Sequence, residues 1–444
     1  MHRHISNRIS SKAPGGRTPR FLPVLLCTLA LCLAAGCSRR PAVSAGSVPA
    51  SSAASPVAPA PPVTPEPTPA PTPTPEPTPC PHETWENGVC TACGTVCSHP
   101  SHDSETRQCT VCGKPVPHKY SALTCTLCGT ELAFRTTEIP AEEYAPCPEP
   151  GTVETVSYIA PNYRQEGLEN AVREREKPMV VYLPYGYDPS EQYDVLILLH
   201  GAGCDENYYL NQSHKCWGKK ICGKDIIDNM IYTGVCEKMI VACPTIFYND
   251  DLGQHRFYNV SAGGYYYDNE LRNDILPYLA EHYSTFAADG TQESLRAARA
   301  HFGFCGFSMG SVVGYMSVLS ECSDLFGWIG CLGSFASSSV YGTTVYAINN
   351  ALSREEFADC PIYFLYNGGG ESDPAWQEQE PLCRMLIDAS DKLDETNTAL
   401  VGGYKATHEG KSWILGMYNC LHVFFSLPDS PDFADEPAAV PATP

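Results

Sequence analysis

Basic residues are scarce in this chain. Only 29 lysines and arginines stand against 50 acidic residues among 444, a formal net charge of −21. A surface of that sign repels phosphate backbones and anionic headgroups, so nucleic acid is excluded as a probable class of partner. Acids are absent from residues 1–20, which carry Arg3, Arg8, Lys12, Arg17 and Arg20. The apolar run that follows, Phe21 to Ala35, is too short for a comfortable membrane span of about 20 residues. Core-forming residues are missing from the next stretch. Residues 41–79 are built mainly from Pro, Ala, Ser, Thr and Val and end in Thr-Pro-Glu-Pro repeats, with 14 prolines in 39 positions. Proline fixes φ and removes a donor, so no packed core can form there.

What is present in the leader is a positive start, an apolar middle and small residues before a cut, the pattern of a secretory signal. Its end, Leu33-Ala34-Ala35-Gly36-Cys37, resembles a bacterial lipoprotein lipobox. The resemblance implies lipidation of Cys37, which would become the mature N-terminus anchored to the cytoplasmic membrane. A plain signal peptide and an uncleaved anchor are the alternatives. The leader, residues 1–36, takes five basic residues with it and leaves 24 against 50 acids. Residues 37–79 then read as a semi-rigid tether at about 3 Å per residue, with a reach on the order of 100 Å.

Cysteine is abundant, at 23 residues, of which eight fall in residues 80–128 and 12 beyond. The later ones sit in apolar stretches, as at Cys243, Cys305 and Cys331, the setting of buried free thiols. An anaerobic host would reconcile them with export. The eight belong to a threefold repeat in residues 80–135. Cys80-Pro81-His82 precedes Cys90-Thr91-Ala92-Cys93-Gly94, and Cys97-Ser98-His99 precedes Cys109-Thr110-Val111-Cys112-Gly113. Pro117-His118 precedes Cys125-Thr126-Leu127-Cys128-Gly129, with Val116 where a cysteine is expected. A Cys-x-x-Cys-Gly turn points two thiolates at one ion, and the upstream Cys-x-His adds two ligands. Two full sets therefore resemble small zinc ribbons with structural zinc. The third borrows His102 or holds no metal. A module stapled by disulfides is the rival. A segment this small needs metal or crosslinks to fold, and filled Cys/His sites leave no open position for catalysis.

Residues 150–430 alternate strand and helix patterns. Met179 to Leu183, Val195 to Leu199, Met239 to Cys243, Ala300 to Cys305, Trp328 to Leu332 and Ile362 to Tyr366 read as strands; Asn269 to His282 and Ser311 to Leu319 read as helices. Continuous apolar strands separated by helices predict an α/β fold with a mostly parallel sheet covered on both faces. Residues 431–444 read as a disordered tail.

Gly306-Phe307-Ser308-Met309-Gly310 lies between such a strand and a helix. Small flanks permit the sharp turn that exposes a nucleophilic serine, and the Met309 N–H is an oxyanion donor. The turn after an early strand, His200-Gly201-Ala202-Gly203, offers Ala202 N–H as the second donor, worth roughly 3 kcal/mol in the transition state. The hydrolase order of serine, acid, histidine then selects Asp373, with Glu371 in reserve, on the loop after Tyr366. Of the two later histidines, His408 lies in a turn after Ala399-Leu400-Val401. His422 lies in an apolar run that reads as the closing helix, so His408 is the base.

With Lys177-Pro178-Met179-Val180-Val181-Tyr182-Leu183-Pro184-Tyr185-Gly186-Tyr187-Asp188, and with His408 spaced ahead of Trp413, these motifs resemble the bacterial feruloyl esterases of the esterase D-like family. The resemblance implies an α/β-hydrolase cleaving acyl esters, feruloyl or acetyl, on plant polysaccharide such as xylan, with no catalytic cofactor. Departures are Ser311 in place of a glycine, Ala406-Thr407 in place of a glycine pair, and distinct loops after Asp205 and around Tyr265-Tyr266-Tyr267. The alternatives are an acyltransferase of the same fold and a zinc-ribbon adhesion protein with an inactive hydrolase domain.

Overall fold

The computed structural model describes residues 82–86, 89–93, 95, 97–121, 123–163, 174–246, 267–334 and 341–426. Cys37, the leader, the tether, Cys80, Tyr265, Tyr266 and the tail 431–444 lie outside the described residues. The described residues belong to one compact unit.

Eight strands build the central sheet: β1 Thr152–Ala160, β2 Arg175–Leu183, β3 Asp194–Leu199, β4 Met239–Pro244, β5 Phe302–Phe307, β6 Trp328–Leu332, β7 Phe364–Gly370 and β8 Thr398–Gly403. Their spatial order is β8-β7-β6-β5-β3-β4-β2-β1. All pairings from β4 through β3 to β8 are parallel, while β2 runs antiparallel to both β4 and β1. The chain order reverses direction around β3 and β5, which lie side by side with Leu199 opposite Gly306. In such sheets the crevice beyond the carboxyl ends of the strands is where ligands bind.

The strands read as unbroken apolar runs because both faces are covered. Along β3, Val195, Ile197 and Leu199 join one cluster with Leu271, Ile275, Val313 and Val318 from helices on that side. Leu196 and Leu198 join the opposite cluster with Ile226, Met230, Ile414, Met417 and Leu421. Each fully buried aliphatic of this kind contributes about 1.5–3 kcal/mol relative to exposure.

The expected strands form, with shifted ends. Phe302–Phe307 starts two residues later than expected because Arg299–His301 makes a short helical turn first. The strand expected at Ile362 to Tyr366 instead runs Phe364–Gly370, carried on through its glycines by pairing with β8. β1 was not among the expected strands. Its TVETVSYIA sequence is half exposed at the sheet edge, so it lacks the apolar run used to find the others. The 267–282 helix forms as Tyr267–Glu270, a wider π-type turn Leu271–Ile275, and Leu276–His282.

The Cys/His module is made of two short hairpins, Trp85–Glu86 with Val89–Cys90 and Tyr120–Ser121 with Thr124–Cys125, and tight turns. Gly113 and Gly129 take positive φ (73° and 76°) and donate back to Cys109 and Cys125, the turn-relieving role expected of them. The module packs on the sheet domain. Tyr120 N–H donates to Ser426 O at 2.8 Å, and the Asn419 side chain bonds the Arg135 backbone in both directions at 2.9 Å. Among the described cysteines of the sheet domain, the Cys420 thiol donates to Cys305 Sγ at 3.9 Å, and the two form no disulfide. Burial pushes the Cys243 and Cys331 thiols well above their ordinary value, which keeps them protonated and inert.

Candidate active site

β5 leads into Ser308 and then the helix Met309–Val313. Ser308 sits at φ 53°, ψ −113°, a conformation few non-glycine residues adopt. Its flanks must be glycine. A Cβ on Gly306 would lie 2.4 Å from Gly310 O, and one on Gly310 would lie 2.5 Å from Leu199 O. The Ser308 N–H is held by Leu332 O at 2.7 Å, so β6 pins the turn from the other side.

The acid comes from the loop after β7. Asp373 is fully buried and caps the helix Pro374–Ala389, its Oδ1 accepting from Ala375 N–H at 2.8 Å. Its Oδ2 lies 2.8 Å from His408 Nδ1, and His408 Nε2 lies 3.0 Å from Ser308 Oγ. The geometry calls for an imidazole that donates to the carboxylate and accepts from the serine. A Cβ on Gly370 would lie 2.4 Å from Ala406 O, so the loops that carry acid and histidine touch backbone to backbone. Ser372 N–H, donating to Ala406 O at 2.9 Å, locks that contact.

The two rival residues sit elsewhere. Glu371 accepts from Lys405 N–H at 3.1 Å. His422 caps the far end of the helix Gly410–Leu421, with Nδ1 2.8 Å from Tyr418 O. His408 precedes the near end, and 12 residues of helix put roughly 18 Å between the ends.

The Ala202 turn follows β3. A Cβ on Gly201 would lie 2.9 Å from Ser308 Cβ, so this turn runs directly beside the serine. Met309, as the first helical residue, has no acceptor for its N–H within the helix. His200 is buried, its Nε2 3.0 Å from Thr245 Oγ1 and 3.3 Å from Ile246 N, its Nδ1 2.8 Å from Gly201 O. An amide donating to Nε2 makes Nδ1 the protonated nitrogen, so His200 holds the Gly201 carbonyl in place.

Sequence reasoning missed the aromatic support of the base. His214, Tyr208, Phe307, Trp413 and His408 form a ladder with successive ring separations of 4.0, 4.5, 5.1 and 4.8 Å. Burial lowers the His214 pKa against the opposing bond to Tyr208 O. Tyr208 and His214 stand in a loop and a hairpin with no motif, so only the spacing of His408 to Trp413 pointed this way.

The Cys/His residues also converge. His82, Cys90 and Cys93 form a first group, Cys97, His99, Cys109 and Cys112 a second, and His102, His118, Cys125 and Cys128 a third, with ligand atoms in each within 4.8 Å of one another. Zn–S of about 2.3 Å and Zn–N of about 2.0 Å give tetrahedral edges of about 3.8 Å between sulfurs and about 3.5 Å from sulfur to nitrogen. Cys97 and Cys109 sulfurs are 3.8 Å apart, Cys112 Sγ is 3.3 Å from His99 Nδ1, and Cys93 Sγ is 3.5 Å from His82 Nδ1. The groups fit a tetrahedral ion of zinc type.

A mostly parallel sheet, covered on both faces, with a serine on a tight strand-to-helix turn, defines the α/β-hydrolases. The chain belongs to the Esterase family, whose model matches residues 171–412. It is 28% identical over 301 residues to endo-1,4-beta-xylanase Y of Acetivibrio thermocellus, covering 66% of this chain and 25% of that protein. The chain thus spans only a quarter of that relative's length. It superposes on the feruloyl esterase module from Clostridium thermocellum complexed with sinapinate, at 25% identity and a TM-score of 0.54, covering 69% of this chain and 95% of the module. The ferulic acid esterase of Anaeromyces mucronatus in complex with ferulic acid shares the fold, at 20% identity and a TM-score of 0.50, over 67% of this chain and 99% of that one. The sheet domain is a carboxylic-ester hydrolase domain of feruloyl esterase-like type.

Proposed function

We propose that this chain is a surface-anchored serine esterase that removes feruloyl or related acyl groups from plant polysaccharide such as xylan. The observation that carries the reading is the single imidazole of His408 bonded to both Asp373 and Ser308. Ser308 Oγ attacks the ester carbonyl and its proton passes to His408 Nε2. Asp373 keeps the imidazole in the required tautomer and stabilises the imidazolium. The Ala202 and Met309 N–H groups receive the oxyanion. The imidazolium protonates the departing sugar oxygen, and water, deprotonated by the same nitrogen, then releases the carboxylic acid. The choice of acyl group rests on the feruloyl esterase module bound to sinapinate. Zinc in the first two Cys/His sets would have a structural role: Cys97, His99, Cys109 and Cys112 offer four ligands to one ion, and the sequence offers Cys80 as a fourth beside His82, Cys90 and Cys93. The lipid anchor at Cys37 and the tether rest on sequence.

The test is release of ferulate from feruloylated arabinoxylan fragments by the full chain and by Ser308→Ala. The variant should lose on the order of 10⁴-fold or more in kcat. Turnover that survives in Ser308→Ala, or a wild type that cleaves acetyl but no hydroxycinnamoyl esters, overturns the reading.

A further inference from the structure

The third repeat lacks a cysteine at Val116, yet its remaining ligands do not stand alone. His118 Nδ1 lies 3.5 Å from Cys128 Sγ, and His102 Nε2 lies 3.6 Å from Cys125 Sγ. Both distances match the sulfur-to-nitrogen edge of a tetrahedral site, about 3.5 Å. The two rings meet edge to face at 4.8 Å, leaving their nitrogens directed at the thiols. His102 is buried, as is Cys125. Its other nitrogen, Nδ1, is 3.1 Å from Val116 O. A carbonyl can only accept, so Nδ1 carries the proton and Nε2 presents its lone pair to the thiols. Metal-bound histidines are oriented in this way by a bond at the second nitrogen. Val116 has thus lost a thiolate but orients the ligand that replaces it.

We propose that His102, His118, Cys125 and Cys128 hold a third divalent ion of zinc class, and that this ion fastens the module to the back of the hydrolase domain. Two thiolates and two imidazoles select a tetrahedral, borderline-soft cation and leave no open position. His102 lies in sequence between His99 and Cys109 of the second set, so the second and third sites interlock. The third site also sits at the seam. Tyr120, two residues from His118, donates to Ser426 O. Pro115 fills the space beside Gly234, where a Cβ would lie 2.6 Å from it. Leu123 and Leu132, flanking Cys125 and Cys128, pack on the apolar cluster of the closing helix. An ion here would brace the short hairpin Tyr120–Ser121 and Thr124–Cys125 from which these contacts are made.

The inference rests on the reading of the module as metal-binding and is independent of the esterase reading. Its test is zinc per chain, by elemental mass spectrometry, in full-length protein purified anaerobically, with hydrogen exchange of residues 415–426. Cys125→Ser/Cys128→Ser should lose one zinc per chain and exchange faster at 415–426. Cys109→Ser/Cys112→Ser, the control, should also lose one zinc. A normal zinc content in the Cys125/Cys128 variant, with a loss in the control, overturns the third site and spares the first two. A wild type with no zinc and oxidised Cys125–Cys128 overturns the whole metal reading. Aryl acetate turnover, measured on the same samples, reports the esterase separately.

Discussion

At the scale of single residues, the two histidines after Asp373 differ in setting, His408 against Asp373 and Ser308, His422 against Tyr418 O. His408 bridges acid and serine, so His408→Ala should cut kcat on a soluble aryl ester on the order of 10⁴-fold or more in folded protein. His422→Ala should leave kcat near wild type, and the reverse pattern would transfer the base to His422. His422 has a different signature, in stability. Its pKa is pushed down to about 4, first by burial, against the bond to Tyr418 O, with repulsion from Arg107 and Arg135 added; His118 also stands nearby. The unfolded chain therefore takes up this proton at higher pH than the folded one. The stabilisation is complete above about 6.5, the ordinary histidine value, and is lost as pH falls toward 4, by on the order of 1–3 kcal/mol. Urea unfolding at pH 7 and pH 5 should show a smaller drop for His422→Gln than for wild type. Equal drops would mean the ring titrates normally.

At the scale of elements, the base depends on how the closing helix is seated. Trp413 is buried, stacks on Phe307 at 5.1 Å and presents its edge to His408 at 4.8 Å. Its ring also fills the space where a Cβ on Gly333 would lie 2.5 Å away. Trp413→Ala should cost about 3–5 kcal/mol of stability through the cavity it leaves. It should also lower kcat on the order of 10²-fold at a temperature where the variant is folded, because a base misplaced by about 1 Å loses that much. Trp413→Phe should recover most of kcat; failure of that recovery would mean the indole does more than support the ring. The strand-turn-helix around Ser308 was legible in the sequence because local sterics demand glycine at 306 and 310. The placing of Asp373 beside His408 was legible because a glycine-rich loop at the end of a strand carries a carboxylate between the serine and the histidines in the sequence. The ladder of Tyr208 and His214 was not, since it joins segments about 200 residues apart by ring packing alone. Nor was the edge strand β1, whose exposed face breaks the apolar run. His102 was half legible, as a spare ligand near a gap; which gap it fills is a matter of three-dimensional proximity.

At the scale of the whole molecule, we propose that the parts divide into a catalytic body and a device for placing it. No helix among the described residues is long and apolar enough to cross a membrane. We propose on sequence grounds that attachment to the membrane rests on the leader, where Ala35-Gly36-Cys37 offers a residue for lipidation. The excess of acid over base disfavours adhesion of the chain as a whole to anionic lipid. On sequence grounds we propose that the proline-rich stretch 41–79 is a tether that carries the enzyme away from the bilayer toward an insoluble polymer. The candidate active site, Ser308, Asp373 and His408, lies far in sequence from these segments. Two variants in the native host separate the roles. Cys37→Ala should shift aryl acetate activity from the membrane fraction to the medium or the soluble fraction, with kcat unchanged. Deletion of residues 41–79 should keep the activity in the membrane fraction and leave kcat on aryl acetate unchanged, yet slow ferulate release from insoluble feruloylated xylan by intact cells. If the deletion releases ferulate as fast as wild type, the stretch is not a tether. If Cys37→Ala stays with the membrane, the anchor lies elsewhere.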